Sequence, residues 1–172
     1  MPILPDTKDW TWVTRRPCPE CGYDAAEIQD ADVADALREA TGSWPAVLAG
    51  EGVRERPNDS TWSPLEYAAH VRDVLRLYHE RLGLMMQSDD PLYPNWDQDE
   101  AAIAQRYNEQ DPATVSAEIL DAAGSLAAEF EMLRGVAWDR RGRRSDGATF
   151  TVRTFSRYLL HDLVHHAWDV AR

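Results

Sequence analysis

Three of the chain's five histidines fall in one stretch, RYLLHDLVHHAWDV, at residues 157–170. On a helix, His161 and His165 lie about 40° apart on one face, with side-chain bases about 6 Å from each other. Two imidazoles so placed can meet one cation if a third ligand comes from another element. His70 is the candidate third ligand. It is flanked by Ala68, Ala69 and Val71, and small neighbours leave room for a facing helix. Three neutral imidazoles suit zinc, nickel or ferrous iron, with positions left open for water or substrate. An isolated H-x-x-x-H pair is as readily explained by rim histidines bonded to backbone or water, and it is the third histidine that favours a metal.

Metal-bound imidazoles need acceptors behind them. Asp73, one turn after His70, and Asp162 and Asp169, beside the pair, are candidates for that supporting layer, with Asp169 four residues after His165. Each reads equally well as a solvated carboxylate. His166 follows His165 directly and so points away from the pair, as a rim residue or a proton carrier at the mouth of the site. His79, nine residues after His70, falls on the opposite face and is not expected to be a ligand. Arg157 precedes His161 by one turn and is a candidate for lining the same cleft.

Cys18 and Cys21 form a C-x-x-C in RPCPECGYD. Such a pair is half of a zinc site, or a redox dithiol. No second C-x-x-C exists, so a second metal would have to recruit His79, His166 or a carboxylate; a tight turn without chemistry is the plainer reading. RRGRR at 140–144 offers a clamp for the carboxylates of an anionic ligand, or more simply a solvated loop. Trp62, Trp96 and Trp168 are candidate pocket walls, although Trp at the ends of bundles commonly just packs.

Four amphipathic segments can position these residues. Val33, Leu37, Ala40, Trp44, Val47 and Leu48 give a helical stripe over 30–50, which Pro45 can bend or end. Ser63, Pro64 and Glu66 make a capping box for a helix reaching about Met86. Asp111 and Pro112 open a third helix carrying Val115, Ile119, Ala122, Leu126, Phe130 and Leu133 to Gly135. A fourth starts after Thr151 and buries Val152, Phe155, Leu159, Leu163 and Val170. A short helix is expected around 100–107, and residues 138–150 read as a polar loop with a turn at Gly147. No segment alternates strictly enough to be a strand. The expectation is an all-α fold, a four-helix bundle of antiparallel type over 30–172. Residues 1–29 form an irregular extension pinned by Trp10 and Trp12.

The chain has 172 residues, 30 of them acidic against 18 basic, for a net charge of −12. That length suits one domain with a substantial core. The charge repels phosphate backbones and anionic membranes, so neither nucleic acid nor membrane is an expected partner. All basic residues except Lys8 are Arg, read as the coding bias of a GC-rich genome. No run is apolar and long enough to cross a bilayer, and MPILPDTKDW lacks the pattern of a secretory leader. Two cysteines do not make a disulfide framework. The expectation is a soluble, cytoplasmic protein. Bundles of this kind often pair through an exposed stripe, so a homodimer is left open.

Two of these motifs carry a resemblance. STWSPLEYAAHVRDV resembles the second-helix signature W-S-x-x-E-x-x-x-H-x-x-D of the DinB/YfiT-like four-helix bundles, and HDLVHHAWDV resembles their last-helix H-x-x-x-H. With the helix layout, the resemblance covers residues 30–172. It implies a divalent metal bound by His70, His161 and His165, and a link to thiol-dependent transferases, among them bacillithiol transferases and mycothiol-dependent isomerases. The implied activity is transfer to a small-molecule thiol, with mycothiol or a similar low-molecular-weight thiol and an electrophile as partners. The alternatives are a metal-dependent hydrolase and a non-catalytic metal or small-molecule binding protein of stress response. The chain differs from the isomerases in ending after the fourth helix, and from the small bundles in its N-terminal extension.

Overall fold

The computed structural model describes residues 9–172; the first eight residues of the expected extension, Lys8 among them, lie outside the described residues. Two 3-10 turns, Thr11–Thr14 and Ala25–Glu27, lead to α1 (Val33–Thr41) and α2 (Trp44–Leu48). The helix expected over 30–50 is thus two pieces, with Pro45 in the first turn of the second. There its missing N–H costs nothing. Next come α3 (Pro64–Gln87), strand β1 (Leu92–Tyr93), α4 (Gln98–Ala104), α5 (Pro112–Met132), the hairpin β2 (Arg141–Arg144) and β3 (Thr149–Thr151), and α6 (Val152–Val170).

The start of α3 shows why the sequence folds locally as it does. Ser63 accepts from the Glu66 N–H, and Glu66 reaches back to accept from the Ser63 N–H, closing a capping box ahead of Pro64. The Glu66 carboxylate is buried and bound by the Arg56 guanidinium. That ion pair ties the 50–62 connection to the helix that carries His70.

α1, α3, α5 and α6 form the bundle, and the expected stripe positions on each face inward, Leu37, Leu75, Leu126 and Leu159 all being fully buried. The arrangement differs from a simple up-and-down bundle. α1 packs on α5 and α6, and so does α3. The first two long helices therefore face each other across the diagonal, joined by the long connection through α2. The consequence for function is that α3 lies directly beside α6, so residues of these two helices share a seam.

A three-stranded sheet, order β1-β2-β3, closes one end of the bundle. β2 pairs antiparallel with β3 and parallel with β1. This corrects the reading of 138–150 as a loop without strands. The Gly147 turn is present, with φ +97°. The alternation was invisible because the inward positions of β2 are Gly142, facing Phe150 on β3, and Arg144, which lies over the Phe150 and Tyr158 rings, while Arg141 and Arg143 point outward. A Cβ at 142 would lie 2.9 Å from Met85 Cγ and 3.0 Å from Tyr93 Cε1. Gly142→Ala is therefore expected to cost about 1–3 kcal/mol through overpacking, read as a lower urea midpoint at unchanged slope.

Candidate metal centre

The α3–α6 seam brings together His70, Asp162 and His166. One ligand atom from each lies within 4.8 Å of the others. His70 is 1% exposed. Its ring lies between Trp62 and Trp96, at centroid distances of 5.3 and 5.6 Å, and meets the His166 ring edge-on at 4.8 Å. His70 Nε2 faces Asp162 Oδ2 at 3.5 Å, and His166 Nε2 faces Asp162 Oδ1, also at 3.5 Å. Neither nitrogen of His70, nor Asp162 Oδ2, has a hydrogen-bond partner. Buried polar atoms normally find partners. Here lone pairs of an imidazole and a carboxylate converge with nothing protein-borne between them, which fits a cation-binding site.

The electrostatics agree. Burial disfavours the charged form of His70 and holds its pKa below the ordinary value despite the nearby Asp162, so the ring is a neutral donor at pH 7. Burial also acts to raise Asp162, but His166 and His70 outweigh it and keep the carboxyl well below the usual carboxylate range. Burial opposes protonation of His166, yet Asp162 and Asp169 overcome it and push that ring up to about 9. His166 Nδ1 lies 3.1 Å from Asp169 Oδ2. That contact leaves Nε2 turned to the centre, the arrangement in which a carboxylate fixes the tautomer of a metal-binding imidazole.

His161 and His165 border the same cavity but group with other ligands. Their ligand atoms converge, within 4.8 Å, with those of Cys18 and Cys21 from the N-terminal extension. The expected grouping of His70 with His161 and His165 is therefore not what the structure assembles. α6 carries two interleaved pairs at i,i+4 spacing, 161/165 and 162/166, about 100° apart around the axis. The second pair faces α3, and the first faces the extension. Asp162, expected to stand behind the ligands, is itself one of the three converging groups. Asp169 stands behind His166 and is 3.9 Å from His165 Nε2. Asp73 does not support His70: it accepts from the Tyr107 hydroxyl at 2.6 Å and from Arg72 Nε at 2.8 Å. His79 pairs with Glu129 of α5 at 2.8 Å, away from both groups. Burial raises the Cys21 thiol to about 11, the opposite of the shift that activates a redox thiol.

Arg157 does not line the histidine cleft. It is buried and donates to Asp30 Oδ1 and to the Ile28 carbonyl, each at 2.8 Å, while Tyr23 Oη donates to its backbone carbonyl at 2.9 Å. Its work is to hold the extension and the start of α1 to α6. Arg157→Met is expected to cost about 2–3 kcal/mol, less than the 3–5 of a fully buried pair because the Asp30 side chain keeps 29% exposure. Metal content at His70 should not change, as thermal melts and metal analysis of the variant would show.

The centre opens into a cavity of about 620 Å³. Trp62, Tyr67 and Trp96 supply aromatic wall, and Arg81 and Arg144 supply positive charge. Arg144, from the basic run, is paired with Asp146 and lies over the Phe150 and Tyr158 rings. Arg81 donates to the Pro94 carbonyl through one terminal nitrogen, while its buried Nε has no partner. Trp168 packs on His165 and under Arg172, outside this cavity.

The sequence missed the Asp162/His166 pair, yet a signal for it was present. The stripe Val152, Phe155, Leu159, Leu163 and Val170 has a vacant slot at 166, three residues after Leu163 and four before Val170. His166 thus continues the inward face of α6. His161 and His165 lie roughly 120–160° around the helix from that stripe.

A family model described as the DinB superfamily matches residues 29–170. No curated protein matches the sequence. Among solved structures, YfiT from Bacillus subtilis superposes with a TM-score of 0.75 at 16% identity, over 85% of this chain and 87% of that one. YfiT is described as a probable metal-dependent hydrolase with an unusual four-helix bundle topology. Among the described residues, no helix is long and apolar enough to cross a membrane.

Proposed function

The chain belongs to the DinB superfamily, and from that premise we propose that it is a divalent-metal-dependent enzyme that transfers an electrophilic group to a low-molecular-weight thiol of the mycothiol type. The observation that carries the reading is the set of facing, unpartnered atoms of His70 and Asp162 beside His166, opening into a substrate-sized cavity. His70, Asp162 and His166 would hold the cation. Two imidazoles and one carboxylate suit zinc, nickel or ferrous iron. When bound, a divalent cation supplies Lewis-acid stabilisation of an anionic nucleophile at neutral pH.

The chain's own groups supply the rest. Asp169 orients the His166 ring. Trp62 and Trp96 pack against the His70 ring and hold it in place. Arg81 Nε, buried and partnerless, and Arg144 at the cavity wall are placed to receive carboxylates of a thiol or its acceptor. The cavity is far larger than a single water requires, which leaves room for a substrate beside the cation. In the transfer, the thiol sulfur forms the new bond to carbon, the leaving group departs with its electron pair, and the thiol proton goes to solvent.

The test uses tag-free protein carrying the metal with which it purifies. It is incubated with a haloalkane-type electrophile, with and without mycothiol, and the products are identified by mass spectrometry. The expected result is a thioether adduct formed faster than without protein, its rate falling at least about 100-fold in His70→Ala. Turnover without thiol would replace this reading with a hydrolase. Neither turnover nor thiol binding would leave a binding protein.

A further inference from the structure

We propose that Cys18, Cys21, His161 and His165 form a second metal site, a closed structural zinc site that staples the N-terminal extension to α6. The four ligand atoms already lie within 4.8 Å of one another, against about 3.3–3.8 Å between ligands around a tetrahedral zinc with bonds of about 2.0–2.3 Å. Small side-chain movements would close the difference. Cys18 Sγ is 3.8 Å from His165 Nδ1, and the buried Nε2 of His161 has no hydrogen-bond partner.

The backbone around the cysteines has the form of a metal knuckle. In C-P-E-C-G, the Gly22 N–H donates to the Cys18 carbonyl at 2.9 Å, and the Cys18 N–H donates to the Tyr23 carbonyl at 2.8 Å. Gly22 sits at φ +76°, where a Cβ is disfavoured. This turn brings both sulfurs to one side, and neither is in a disulfide.

Donor set and burial distinguish this group from the α3–α6 centre. Two thiolates and two imidazoles are a zinc set. Both thiols release their protons to solvent on binding, and the two thiolate charges balance the cation. Cys18, His161 and His165 are 1%, 4% and 9% exposed, and Trp10 packs over both imidazoles at 5.4 and 5.2 Å. Cys21 is half-buried and His161 and His165 border the cavity, but four protein ligands complete a tetrahedral zinc and leave no position for substrate, which is the mark of a structural site.

The placement also gives such a site a purpose. His161 and His165 each directly precede a member of the other group, Asp162 and His166. A zinc ion held there would tie the extension to α6 immediately beside the open centre, without contributing a ligand to it.

The test is cobalt substitution of the reduced, tag-free full chain, followed by absorption. We expect an intense sulfur-to-cobalt charge-transfer band with tetrahedral d–d bands. The band should be kept in His70→Ala and lost in Cys21→Ser. If the cysteine variant does not fold, the wild-type zinc protein serves. Modification of its thiols by a mercurial should release one zinc per two thiols, and before release both should react at least about tenfold more slowly than free cysteine. No charge-transfer band in the wild type, loss of the band in His70→Ala, or thiols as reactive as free cysteine in zinc-loaded protein would each overturn the proposal.

Discussion

Replacing His166 with alanine is expected to abolish cation binding at the α3–α6 centre, while replacing His161 should leave it intact. This is the reverse of what the H-x-x-x-H spacing alone suggests. It follows from the side of α6 that each ring occupies: His166 meets His70 at 4.8 Å between ring centroids, whereas His161 belongs with the cysteines. The loss in His166→Ala should exceed about 100-fold in affinity, because removing a mere hydrogen-bond partner of a ligand costs about 10–100-fold. Asp169→Asn should fall within that smaller range, since its carboxylate orients His166 without joining the ligand set. Cobalt titration distinguishes the sites: the cation that shows no sulfur charge transfer should vanish in His166→Ala and persist in His161→Ala.

Cation affinity at the same centre should rise steeply with pH across the neutral range. Metal binding needs His166 neutral, but Asp162 and Asp169 raise its pKa to about 9 in the metal-free protein. One proton must therefore leave for each cation bound, and affinity should increase about tenfold per pH unit from pH 7 toward 9. An unperturbed histidine would place this change near about 6.5, so the two acids move the window upward. Metal-free stability should move the other way. A raised histidine pKa contributes stability that is fully present below the unfolded value and is lost as pH climbs through the folded one. The chelated protein should therefore lose on the order of 3 kcal/mol between about pH 6.5 and 9, while the loaded protein should not. Titrations in buffers of different ionisation enthalpy would count the proton, and melts with and without chelator would show the divergence. Affinity flat from pH 7 to 9 would mean that His166 is not the protonated ligand.

Much of the scaffold was readable directly. Ser63-Pro64-Leu65-Glu66 is a local device, and its capping box forms as written because all its partners lie within four residues. Asp111 and Thr151 cap their helices for the same reason. The stripes of α3, α5 and α6 bury as expected except at their last positions, Leu133 and Val170, which are half-buried, because helical periodicity is a property of the chain itself. The β2–β3 hairpin was not legible, since Gly142 and Arg144 at the inward positions of β2 removed the apolar alternation. Nor was the diagonal placement of α1 and α3, which depends on how the long connection through α2 crosses the bundle.

The amino-acid sequence by itself determined which residue types could do chemistry here: five histidines, a C-x-x-C, and two interleaved i,i+4 pairs on one helix. It also determined that α6 would have a buried face, and His166 lies on it. Only the tertiary structure decided which pair meets His70 and which meets the cysteines. The physical reason is rotational. Adjacent residues on a helix diverge by about 100°, so each pair is equally well formed locally, and only the packing of α6 against α3 on one side and the extension on the other assigns each its partners.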